Sequence, residues 1–134
     1  METITDDYLF MIEQATKAPS GHNTQPWLFR IVEAGIEIHP DKTKTLSIVD
    51  GNQREMFISL GCATENLCLA AQTKGYSAQV NIADNGNITV KLQPNAGVIT
   101  PSSIIIQIGK RQTNRSIYTC LLYTSDAADE ARSV

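Results

Sequence analysis

Residues 18–27 read Ala18-Pro19-Ser20-Gly21-His22-Asn23-Thr24-Gln25-Pro26-Trp27, and this stretch divides a helical pattern upstream from a strand pattern downstream. Pro19 and Pro26 restrict the backbone at both ends, while Gly21 allows a close approach or a positive φ that other residues resist. Between them Ser20, His22, Asn23 and Gln25 set donors and acceptors on a stiff frame. The residues alone leave two readings open. One is a loop that holds a polar ligand. The other is an ordinary connection, which favours the same Ser, Gly, Asn and Pro.

Upstream, Thr5 or Asp6 is placed to cap a helix running to about Lys17, with Tyr8, Leu9, Ile12 and Ala15 spaced for one apolar face and Pro19 ending it. Downstream, residues 27–33 are rich in strand formers, Ala34-Gly35 signals a turn, and Ile36-Glu37-Ile38-His39 alternates, which predicts a hairpin. Residues 46–49 are expected to add a short strand. The longest helix is expected over residues 53–74, where Met56, Phe57, Leu60, Ala63, Thr64, Leu67, Cys68 and Ala71 recur at helical spacing before Gly75. So broad a face belongs inside.

Residues 76–82 and 87–92 flank Ala83-Asp84-Asn85-Gly86, a hairpin signal because Asn-Gly accepts the positive φ of a tight turn. Pro101-Ser102-Ser103 can begin a last helix with Ile104, Ile105 and Ile108 on its buried side. Helices and antiparallel strands in mixed order give an α+β class.

The run Cys120-Leu121-Leu122-Tyr123-Thr124-Ser125-Asp126-Ala127-Ala128-Asp129-Glu130-Ala131-Arg132-Ser133-Val134 reads as the frame translation of a transposase-type sequencing adapter. It is set aside from fold reasoning. Of the formal charge of −3, −2 lies in that run, and the remaining −1 carries no basic cluster, which argues against a nucleic-acid surface. No apolar stretch is long enough to span a bilayer. The start, Met1-Glu2-Thr3-Ile4-Thr5-Asp6-Asp7, is acidic where a secretory signal is basic, so a cytoplasmic location is expected. Cys62 and Cys68, six residues apart on one helix, point to different faces, so neither a disulfide nor a shared metal is expected. Two buried thiols are the simpler reading.

His39 alternates with Ile36 and Ile38 and precedes Pro40, which reads as a surface or edge residue. His22 lies inside the loop without a carboxylate partner in view, so it is not assigned as a general base. No catalytic residue and no metal ligand is assigned. The cations available to an anionic ligand are Arg54, Arg111 and Arg115, with Lys110 beside them, although each alone reads first as a solvated surface charge.

The loop resembles the nitroreductase family of flavin enzymes, in which a Pro-Ser-(Ser/Gly)-x-Asn-x-Gln-Pro-Trp segment touches FMN. The His-Asn-Thr-Gln-Pro-Trp wording is most similar to a subgroup of long chains in which two copies of the fold are fused. Gly51-Asn52-Gln53-Arg54-Glu55 leading into Ser59-Leu60-Gly61-Cys62-Ala63 resembles the start of the family's central helix, and Arg111-Gln112-Thr113-Asn114-Arg115 its Arg-x-Thr-x-Arg stretch. The similarity runs from about residue 6 to residue 118. Short family members carry an Arg-Arg-Ser-x-Arg phosphate motif near the N-terminus; here that region is Asp6-Asp7-Tyr8-Leu9-Phe10. This departure fits the long subgroup, where unlike halves share one FMN.

The resemblance implies an incomplete nitroreductase-like domain over residues 1–119, followed by the adapter-derived run 120–134. It implies an FMN-dependent oxidoreductase that passes electrons from NAD(P)H to a nitroaromatic, quinone or similar small acceptor. Pro19, Ser20, Gly21, His22, Asn23, Gln25, Arg54, Arg111 and Arg115 are then the cofactor-binding candidates. The implied partner is a second nitroreductase-like half, from the same parent chain or a second copy, with no nucleic acid and no membrane. The alternatives are a flavin-binding protein without turnover and an inactive fragment.

Overall fold

The computed structural model describes residues 2–94 and 100–114. Arg115 and the run 120–134 lie outside the described residues. Helix α1 spans Glu2–Ala15, strand β1 Trp27–Val32 and strand β2 Gly35–Pro40; helix α2 spans Arg54–Thr73, strands β3 and β4 span Ser77–Ile82 and Ile88–Gln93, and helix α3 spans Ser103–Lys110. Single 3₁₀ turns cover Gly21–Asn23 and Lys42–Lys44.

The strands form one antiparallel sheet in the order β1-β2-β4-β3. Register puts Phe29, Ile38 and Ile88 in line across it, and likewise Ile31, Ile36, Val90 and Val80. Cross-strand partners share a face, so one side is apolar and the other carries Arg30, Glu37, His39, Thr89 and Lys91. Helix α2 lies on the apolar side. Ile36, Ile38, Val90 and Leu60, Ala63, Leu67 of α2 are fully or almost fully buried at this contact. Gly35 is required where the hairpin meets β4, because a Cβ there would strike the carbonyl of Val90. His39 sits on the polar face, half-buried, with Nε2 2.8 Å from the Glu37 carboxylate.

Helix α1 packs on α2 through Tyr8, Met11 and Ala15. Asn66 donates to the carbonyl of Gln14 at 3.1 Å, and the Tyr76 hydroxyl donates to Asp7 at 2.9 Å while its ring meets Tyr8 edge-on. Helix α3 follows Thr100, whose hydroxyl donates to the Gln72 amide oxygen at 2.6 Å near the end of α2. Ile108 is buried and Ile104 and Ile105 half-buried, as the helical spacing predicts.

Several expectations change. Helix α1 begins earlier than the Thr5 or Asp6 cap, at Glu2, so that both residues lie inside the helix. It also ends at Ala15, where amides of Lys17 and Ala18 bond three residues back and tighten the chain ahead of Pro19. Residues 46–49 form a turn, not a strand: the Asp50 amide bonds the Leu46 carbonyl at 2.8 Å, and among the described residues no strand pairs with them. Phe57, expected on the buried face of α2, is exposed, with its ring lying against the Gly86 turn, and Ile58 beside it is exposed as well. Cys62 and Cys68 are half-buried rather than buried, and burial next to Glu65 pushes the Cys68 thiol up to about 11.

Burial, followed by the hydrogen bond to Asp7, pushes the Tyr76 hydroxyl up to about 12. Its folded pKa lies above the ordinary tyrosine value, so its contribution is full below that value and is lost as pH rises towards 12. Tyr76→Phe should cost about 1 kcal/mol at neutral pH. In urea melts the gap between the two proteins should narrow between roughly pH 10 and 12; a gap constant across that range would contradict this assignment.

Candidate functional site

The loop between α1 and β1 is held by a relay that begins at the start of α2. Asp50 is buried, and its two carboxylate oxygens accept from the amides of Glu55 at 2.9 Å and Met56 at 3.0 Å. That carboxylate occupies the free N–H groups of the first helical turn and suits its positive dipole. With α2 thus anchored, the Ser59 hydroxyl donates to the Glu55 carbonyl at 2.7 Å and accepts the Gly21 amide at 3.1 Å. The loop is fastened to the helix through one hydroxyl.

Inside the loop, Ser20 Oγ accepts the Gln25 amide at 3.0 Å, and the Thr24 hydroxyl donates to the Gly21 carbonyl at 3.0 Å. His22, Asn23 and Gln25 have φ of 50°, 55° and 52°, and Gln53, just before α2, has 60°. Left-handed backbone at a residue bearing a Cβ costs roughly 1–2 kcal/mol. Such strain persists only where surrounding contacts over-determine it, and it concentrates at ligand clamps.

Between the loop and α2 lies a groove with two adjoining parts. The apolar part, about 240 Å³, is lined by Pro19, Ser20, Gly21, Glu55, Ile58, Ser59, Cys62 and Thr113. The polar part, about 270 Å³, shares Pro19, Ser20 and Thr113 and adds Asn23, Arg111 and Gln112. Arg111 arrives from the far end of α3. Its guanidinium donates to the Lys17 carbonyl at 2.9 Å and to the Thr113 hydroxyl at 3.2 Å. Two of its five N–H donors are then engaged, leaving capacity for an anion.

Of the residues singled out in the sequence, Pro19, Ser20, Gly21, Asn23 and Arg111 come together along this groove. His22 and Gln25 are exposed, and neither lines it; they shape the loop through their backbone. Arg54 is exposed on the first turn of α2 and lines neither part. Glu55, Ile58, Ser59 and Cys62 escaped notice as site residues. Their spacing of three and four places them on one stripe of α2, a signal present in the sequence.

Among the described residues, no group of three or more His, Cys, Asp and Glu could hold a metal ion, and no helix is long and apolar enough to cross a membrane.

Ser59→Ala should leave the Gly21 amide unpaired and lower stability by about 1–2 kcal/mol. Gln25→Gly should raise it by about 0.5 kcal/mol, the relieved strain exceeding the added chain entropy. Chemical-denaturation midpoints check both; changes of the opposite sign would refute the geometry described for this loop.

No protein-family model matches the chain. A Mycobacterium tuberculosis (strain H37Rv) protein named "Putative NAD(P)H nitroreductase Rv3131" is 30% identical over 111 residues, covering 79% of this chain and 32% of the relative. A second protein of that strain, "Putative NAD(P)H nitroreductase acg", is 29% identical over 83 residues, covering 62% of this chain and 25% of the relative. The chain thus spans about a third of the length of the relative it matches over most of its own sequence. With the Pro19–Trp27 loop and 30% identity to this relative over 79% of its own length, the chain belongs to the nitroreductase family.

Proposed function

We propose that the groove is one side of an FMN site, and that the chain is part of an oxidoreductase passing electrons from NAD(P)H to a nitroaromatic, quinone or similar small acceptor. The observation that carries this reading is the groove's division into an apolar part beside Ile58 and Cys62 and a polar part beside Arg111. FMN has the same division, a flat apolar ring at one end and a phosphate at the other. The start of α2 is unsuited to the phosphate, because the Asp50 carboxylate already occupies its amides. Arg111, with Asn23 and Gln112 beside it, supplies the cation and donors instead.

When bound, FMN supplies the two-electron chemistry. The chain's residues bind and orient it: Arg111 at the phosphate, Ser20 and Asn23 along the ribityl chain, and Gly21 and Ile58 against the ring. Gly21 suits that contact because the backbone approaches closely where it has no side chain. A second nitroreductase-like half, from a longer parent chain or a second copy, covers the open side and brings the acceptor pocket. The relatives' NAD(P)H nitroreductase names and their greater length support this arrangement.

Titrating FMN with the protein should quench flavin fluorescence. Arg111→Ala should weaken binding about 10-fold or more, the usual worth of a hydrogen bond to a charged group. Adding NAD(P)H without oxygen should bleach the bound flavin absorbance. Unquenched fluorescence would overturn the FMN site, whereas bound flavin that NAD(P)H leaves oxidised would identify a flavin-binding protein without turnover.

A further inference from the structure

We infer that Glu55 orients the ring end of the cofactor by accepting a hydrogen bond from the N3–H of the isoalloxazine, an inference that rests on the FMN reading above. Glu55 is the ionisable carboxylate in the apolar part of the groove, among neighbours that are otherwise apolar or hydroxylic. Its amide is fixed by Asp50 at 2.9 Å, which holds the start of its side chain at a set point on α2. Its Oε2 lies over the Gly21 backbone, 2.9 Å from where a Cβ on that residue would stand. Among the described residues, that carboxylate has no hydrogen-bond or ion-pair partner.

An ionised carboxylate only accepts hydrogen bonds. The hydroxyl oxygens of this part each already accept one hydrogen bond, Ser59 from Gly21, Ser20 from Gln25 and Thr113 from Arg111, which leaves the Glu55 carboxylate as the strongest free acceptor. The oxidised isoalloxazine carries a single N–H, at N3 between two carbonyl groups, while its opposite edge is a dimethylbenzene. Only the pyrimidine edge can meet Glu55. Glu55 is exposed in the chain by itself; the dimethyl edge would face away from the charge, and a ring lacking this donor would cover the carboxylate and leave it unpaired. That arrangement discriminates by charge-assisted hydrogen bonding more strongly than shape alone would.

The test compares FMN with N3-methyl-FMN, which keeps the ring and phosphate but lacks the donor. The wild-type chain should bind the methylated flavin about 10-fold or more weakly than FMN. Glu55→Ala should bind the two alike, and Glu55→Gln, which keeps the size and an acceptor oxygen without the charge, should retain only part of the preference. Far-UV circular dichroism checks that both variants remain folded. Equal binding by the wild type, or a preference that survives in Glu55→Ala, would overturn the role of Glu55 while leaving the FMN site standing. Binding of neither flavin by the wild type would overturn both.

Discussion

The buried carboxylate of Asp50 sets the first turn of α2, and the geometry of the site follows from that one placement. By taking two backbone amides it fixes the register at which Glu55, Ile58, Ser59 and Cys62 face the loop, and it closes the helix end to other anions. Ser59 then converts helix register into loop position through its bond to the Gly21 amide. A carboxylate at the positive end of a helix is stabilising; here it also decides where a phosphate cannot go.

Helix α2 serves two surfaces at once. Leu60, Ala63, Leu67 and Ala71 bury one face against the sheet, where β2 and β4 supply Ile36, Ile38, Ile88 and Val90. The stripe displaced around the helix carries the groove. A long helix with a broad core face is rigid because its packing and its hydrogen bonds support each other, and a site built on such an element holds its side chains more closely than one built on loops alone. The strained residues His22, Asn23 and Gln25 are tolerated because this scaffold over-determines them.

Much of the architecture was legible in the sequence because it rests on local rules. Period 3.6 marked α2 to within a residue at each end, period 2 with Asn85-Gly86 marked the β3–β4 hairpin, and Pro19 marked the end of α1. Residues 46–49 misled because Leu46, Ile48 and Val49 are strand formers, yet the Asp50 cap draws that segment into a turn with Ile48 almost wholly exposed. Tertiary context overrode propensity there. The loop's polar residues were visible, but which of them face the groove was not, since three left-handed φ values redirect His22 and Gln25 outwards. Arg111 and Lys17 meet across 94 positions of sequence, a contact that no local pattern encodes.

The central claim is that FMN occupies the groove between the loop and α2, and residue-resolved NMR addresses it directly. In an amide correlation spectrum of the ¹⁵N-labelled chain, adding FMN should shift the signals of Ser20, Gly21, Asn23, Glu55, Cys62 and Thr113 while those of the β3–β4 turn stay in place. Shifts centred on the β3–β4 turn, or none along the groove, would contradict the account.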